Sequence, residues 1–246
     1  VYNVRFGDAI LISVPDRGTD GDTITRNILI DFGNVQSQLG EGGSDVVFQP
    51  VIENILEVLD GRSLDLYVMT HEHLDHVQGL LYASKNLGKQ LKADSAWLTP
   101  SAAPSYYDKH SKAKRKLDAF RQAYSEIERF FAASPESVGD ETQRALFQNF
   151  LLNNNPQSTT DCVSFLRGLT GNPARNAYVY RDCDLTGKHP FHEARLHIWA
   201  PEEDTSTYYR SLRPMALDML PGEGEKTTPT LPVPIPPSGV DAGAFY

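Results

Sequence analysis

The chain has 246 residues, 40% of them hydrophobic and 22% charged, with a formal net charge of −9. That supplies a real core for one large domain or two small ones, and no stretch is apolar for long enough to span a bilayer. The acidic balance does not support a surface built to grip nucleic-acid phosphates, a mode of binding that runs on basic side chains and counterion release.

The chain opens on Val1 with no basic and apolar leader, but both ends read as the interior of a longer protein, so that start says little about location. The two isolated cysteines, Cys162 and Cys183, suit a reducing, cytoplasmic setting. Residues 1–33 read as two or three strands. Val4 to Val14 is β-rich and broken by Gly7-Asp8, and Asn27 to Gly33 is a short buried strand ending on Asp31 and Gly33. An acid at a strand end can hold a neighbouring loop through backbone N–H groups, or can simply be a turn residue. A polar, glycine-rich loop follows over 33–44, then a helix over 46–59 with Val47, Val51, Ile55 and Val58 on one stripe.

Leu64 to Thr70 is the next strand, and His71-Glu72-His73-Leu74-Asp75-His76 follows it directly. In extended backbone, side chains two apart share a face, so His71 and His73 converge on one ion. Asp75 and His76 are adjacent and reach a second ion if the chain turns after Leu74. Imidazole and carboxylate together suit zinc, and also manganese or iron. Glu72 is expected to point away from the ions into solvent.

A helix begins near Val77, and Ala96 to Thr99 is a further strand closed by Pro100. Strand, helix, strand, ligand loop and helix make an α/β pattern with functional groups at the carboxyl end of a strand. Residues 101–176 read as a helical insertion, with an amphipathic helix through Leu117, Phe120, Tyr124, Ile127 and Phe131 and two more helices over 142–152 and 161–169. The basic run from Lys109 to Lys116 is expected to be the solvated face of a helix. Residues 177–180 and 194–200 read as a hairpin within a segment, 177–220, that returns to the sheet. The Pro- and Gly-rich stretch 221–246 reads as a meander or linker. Cys162 and Cys183 are expected as buried thiols. His110, His189 and His192 read as ordinary polar residues, and His197 as the one further histidine to test as a ligand.

Thr-His-x-His-x-Asp-His after an apolar strand resembles the metal-binding signature of the metallo-β-lactamase superfamily. Phe6-Gly7-Asp8-Ala9-Ile10-Leu11-Ile12 and Ile28-Leu29-Ile30-Asp31-Phe32-Gly33 resemble the openings of its competence-protein-like branch, in the same order and spacing over residues 1–100. Arg5-Phe6 departs from that branch, where Gly-Gln is usual. The resemblance implies an αβ/βα sandwich, here cut to its first half, and two metal ions. His71 and His73 would hold the first and Asp75 and His76 the second, with Asp31 in support. It also implies a hydrolase that uses a metal-activated water, with Asp75 orienting it, on a small-molecule or phosphoester substrate. Alternatives are an iron-binding oxidoreductase relative and a non-catalytic module that keeps the fold. The family's remaining ligands have no counterpart after residue 201, so this stretch alone is expected to bind metal weakly, to be inactive and to expose one face of its sheet.

Overall fold

The computed structural model describes residues 1–35 and 43–207. Most of the expected 33–44 loop and the Pro- and Gly-rich stretch 221–246 lie outside the described residues. Strands β1 (Ala9–Arg17) and β2 (Thr23–Phe32) form an antiparallel hairpin. From β2 the sheet continues in parallel through β3 (Leu66–Val68), β4 (Ala96–Leu98) and β5 (Asn176–Tyr178), in the order β1-β2-β3-β4-β5. Helix α1 (Asp45–Leu59) joins β2 to β3, and α2 (Leu74–Asn86) joins β3 to β4. Between β4 and β5 the chain makes α3 (Tyr106–Lys109), α4 (Ser111–Ala133), α5 (Glu141–Asn153) and α6 (Pro156–Arg167). The described chain is thus mixed α/β with a mixed sheet.

Successive parallel strands step across the sheet in one direction, and right-handed connections of that kind place their helices on one face. The packing agrees. Leu29, Phe32, Tyr67, Met69 and Leu98 are buried with Phe48, Ile52 and Ile55 of α1, Val77 and Leu80 of α2, and Cys162 and Leu166 of α6. The stripe of α1 therefore runs through Val47, Phe48, Val51, Ile52, Ile55 and Leu59, whereas Val58, expected on it, is 41% exposed. Helix α6 is more than part of an insertion, because it is the crossover helix that lies beside α2 over the sheet. The basic run behaves as expected, with Lys112, Lys114 and Arg115 exposed on α4.

Alternation sends Ile28, Leu66 and Trp97 to the opposite face, where Ala177, Val179 and Phe191 bury with them and Leu185, Ala194, Leu196 and Ile198 pack alongside. That face was expected to lie open; it is covered by the chain after β5. The expected hairpin is also absent. Residues 194–200 are in no strand, and β5 pairs with β4 in parallel. The period-2 pattern of Ala194, Leu196 and Ile198 records an extended segment lying on an apolar face rather than one bonded to a neighbouring strand.

Asp16 fastens this cover. Its side chain is 2% exposed and accepts from the backbone N–H groups of His192 (3.0 Å) and Glu193 (2.9 Å), and from Arg26 Nε at 2.9 Å. Arg26 also donates through Nη1 to Asp65 at 2.7 Å, so one guanidinium serves two carboxylates. Burial alone would raise the Asp16 pKa, but the Arg26 hydrogen bond and the backbone donors outweigh it and bring it down to about 2. A depressed carboxylate pKa stabilises the fold fully above the unfolded value of roughly 4 and progressively less as pH falls toward 2. Asp16→Asn should therefore melt below wild type at pH 6, with the gap closing between pH 4 and 2. A pH series of thermal melts reads this, and a gap that stays constant would contradict it.

No helix among the described residues is long and apolar enough to cross a membrane.

Candidate metal centre

The site forms where β2 and β3 end side by side. β1 and β2 slip register between Ala9 and Ile10, so Asp31 is left over opposite them as a bulge, with a left-handed φ of 52°. Bulges re-aim one side chain out of the sheet pattern, and a non-glycine residue in this region is uncommon and strained. The released carboxylate turns to the loop after β3. Its Oδ1 accepts from Thr70 N–H at 2.8 Å, and its Oδ2 accepts from Thr70 Oγ1 at 2.5 Å and His76 Nδ1 at 2.9 Å.

These bonds set the imidazoles. Because Asp31 only accepts, Nδ1 of His76 carries a proton, and in the neutral ring the lone pair is then on Nε2. Thr70 Oγ1 spends its proton on Asp31, so its 3.1 Å contact with His71 Nδ1 assigns the donor to His71 and frees His71 Nε2. Threonine and carboxylate behind histidine is the arrangement that orients metal-binding imidazoles.

The loop then enters α2, with His73 as its N-cap residue in extended backbone and Asp75 in the first turn. Ligand atoms of His71, His73 and Asp75 all lie within 4.8 Å of one another, and so do those of Asp31, His71 and His76. The ring centroids of His71 and His76 are 3.8 Å apart, and those of His71 and His73 are 4.8 Å apart. Asp75 Oδ2 is 3.6 Å from His76 Nε2. All four residues expected as ligands are thus together, with Asp31 beside them. Asp75 groups with His71 and His73 as well as lying beside His76.

The electrostatics suit a cation. Burial, then the neighbouring His76 and His73, lower the His71 pKa to about 4, and burial lowers that of His73. Both rings are therefore neutral near pH 7 and need release no proton to bind an ion. Burial opposes the charged form of His76 too, but its hydrogen bond to Asp31 and the adjacent carboxylates prevail and raise it. Asp75 is 9% exposed, and its Oδ1 is a buried acceptor that no donor among the described residues reaches. Such an atom is costly unless something positive meets it. The nitrogen and oxygen donors present fit zinc, and His73, packed among its neighbours on one side and exposed on the other, leaves one side of the group open.

Several supporting residues had no sequence assignment. Thr99 Oγ1 (2.9 Å) and Ser101 Oγ (2.5 Å) donate to Glu72 Oε1, so Glu72 is half-buried and ties the loop to the end of β4 instead of pointing into solvent. Asp8 places Oδ2 3.6 Å from His76 Nδ1, and its N–H donates to the Asp75 carbonyl at 3.1 Å. Asn153, at the end of α5, accepts from the Asp75 N–H at 3.0 Å. A strand end followed by hydroxyl residues was the one readable signal, at Thr99 and Ser101. The other histidines stand apart: His110 stacks on Tyr106 at 4.2 Å, His189 lies near Trp97 and Phe191, and His197 is exposed and in neither group. Cys162 is buried, with its thiol pushed up to about 12 by burial, and Cys183, expected buried, is half-exposed.

No family model, curated protein or solved structure matches the chain.

Proposed function

We propose that the chain is the metal-bearing part of a metal-dependent hydrolase of the metallo-β-lactamase type, acting on a phosphoester. The observation that carries this reading is the convergence of His71, His73 and Asp75, with the Asp75 Oδ1 buried and without a donor among the described residues. In this reading those three residues hold the first divalent ion, zinc by its donor set, and the open side is left for substrate and water. His76 stands toward a second ion with Asp75 and Asp8 beside it. Asp31 and Thr70 orient the imidazoles, and the sheet with α1, α2 and α6 is the first αβ half of the sandwich.

Bound there, zinc would make hydroxide available from water at neutral pH and polarise the scissile bond. The residues of the chain supply the rest. Thr70 and Asp31 fix the histidine tautomers, Glu72 and Asp8 hold the loop against β4 and β1, and Asp75 offers an oxygen to an incoming water.

The test is hydrolysis of bis(4-nitrophenyl) phosphate by the full-length protein supplied with zinc or manganese, since this stretch alone is expected to be inactive. Turnover should stop with a chelator, return when metal is restored, and fall on the order of 100-fold or more in Asp75→Asn. Metal-dependent turnover of 4-nitrophenyl acetate in place of the phosphodiester would move the substrate class to acyl compounds. Metal binding without turnover of either would contradict hydrolysis.

A further inference from the structure

Among the described residues the α4–α5 excursion meets the candidate metal loop at one hydrogen bond, Asp75 N–H to Asn153, and that bond falls on a consequential atom. Asp75 is the second residue of α2, where backbone N–H groups have no partner within the helix. No side chain of its own N-terminus caps α2, and His73 as N-cap offers none. The acceptor comes from 78 residues away, as Asn153 Oδ1 at 3.0 Å.

Asn153 is itself rigidly placed. It is the last residue of α5, whose start is fixed by a reciprocal capping box between Asp140 and Gln143. Tyr124 of α4 donates to the Leu151 carbonyl at 3.0 Å, and Phe131 of α4 packs on Phe147 of α5 with centroids 5.2 Å apart. One turn before Asn153, the Oδ1 of Asn149 is a further buried acceptor without a donor among the described residues. The excursion thus presents Asn153 to the junction, while Leu146 and Phe150 remain 64% and 47% exposed on the same helix.

We propose that Asn153 is a positioning residue for the metal loop, through which the α4–α5 excursion controls how tightly His71, His73 and Asp75 hold their ion. The proposal rests on the metal reading of that cluster. By gripping the Asp75 N–H, Asn153 fixes the first turn of α2 and with it the direction of the Asp75 carboxylate. Loss of the grip leaves the three ligands present but no longer held at one distance. Outer partners of metal ligands typically account for about 10–100-fold in affinity.

Two readouts on the full chain test this. Asn153→Leu keeps the size and removes the acceptor, whereas Asn153→Asp keeps an oxygen at the same place. In metal-free protein, amide hydrogen exchange over residues 73–77 should quicken in Asn153→Leu and stay slow in Asn153→Asp. In zinc titrations, Asn153→Leu should bind roughly 10–100-fold more weakly than wild type, and Asn153→Asp should retain affinity. Unchanged exchange and affinity in a folded Asn153→Leu overturn the proposal while leaving the metal site in place, and so does a Asn153→Asp variant that loses as much as Asn153→Leu. Wild type that takes up no zinc overturns the metal reading, and this proposal with it.

Discussion

His71→Ala will leave the chain folded but unable to hold zinc at micromolar concentrations. His71 belongs to both groups of converging ligand atoms, so no neighbouring pair replaces it. Its ring is tied through Nδ1 to Thr70, and burial brings its pKa to about 4, so it stands neutral and ready to bind near pH 7. Removing a direct ligand should exceed the roughly 10–100-fold typical of outer partners. The metal-free fold should change little, because His71 is only part-buried and packs against other imidazoles rather than in the core. Calorimetric titration with zinc, beside thermal melts in chelator, separates the two effects. Wild-type affinity in His71→Ala would mean that the ligands lie elsewhere.

Gly33→Ala is expected to be the most damaging small substitution near the site. A Cβ at Gly33 would meet the Asp75 carbonyl carbon at 2.4 Å and the His76 nitrogen at 2.5 Å, both backbone atoms that cannot swing aside. Gly7 closes the same contact, with a φ of 148° and its absent Cβ pointing at the Asp75 oxygen. The chain after β2 is therefore pressed directly on the first turn of α2, and any side chain there must push Asp75 and His76 outward. Overpacking typically costs 1–3 kcal/mol and more where backbone must move, so about 3 kcal/mol is expected. That corresponds to a melting point lower by roughly 6–12 °C for a chain of this size, accompanied by weaker zinc binding. A Gly33→Ala protein with wild-type melting and zinc affinity would contradict the close approach.

The sequence reading reached the parts of the site that depend on local geometry. His71, His73, Asp75 and His76 sit on one short loop, and extended backbone followed by a helical turn brings them together whatever surrounds them. Asp31 was readable as an acid at a strand end, but not the bulge that turns it toward Thr70 and His76, because a bulge depends on the register with β1. Apart from the hydroxyl residues that follow β4, residues contributed from a distance left no pattern. Asn153 meets Asp75, Thr99 and Ser101 meet Glu72, and Asp16 meets His192 and Glu193, each across a separation that only the packed chain defines.

The same distinction accounts for the fold. Helices α1, α4 and α5 and strands β2 to β4 follow from their own periodicity and were expected near their observed places. The hairpin expected at 194–200 failed because alternation tells which side chains face an apolar surface, not which backbone groups find partners. Here the surface was the back of the sheet, and the segment is fastened to it by Asp16 and by apolar contacts. The role of α6 as a crossover helix was hidden because its apolar residues look the same whether they pack on a neighbouring insertion or on α2.

The most direct measurement is metal content by elemental analysis, made on the full-length protein purified in zinc-supplemented buffer and on a His71→Ala, Asp75→Ala double variant of it. The account predicts at least one equivalent of zinc in wild type and none above background in the double variant. Wild type free of metal, or a double variant that retains as much, would contradict the metal centre.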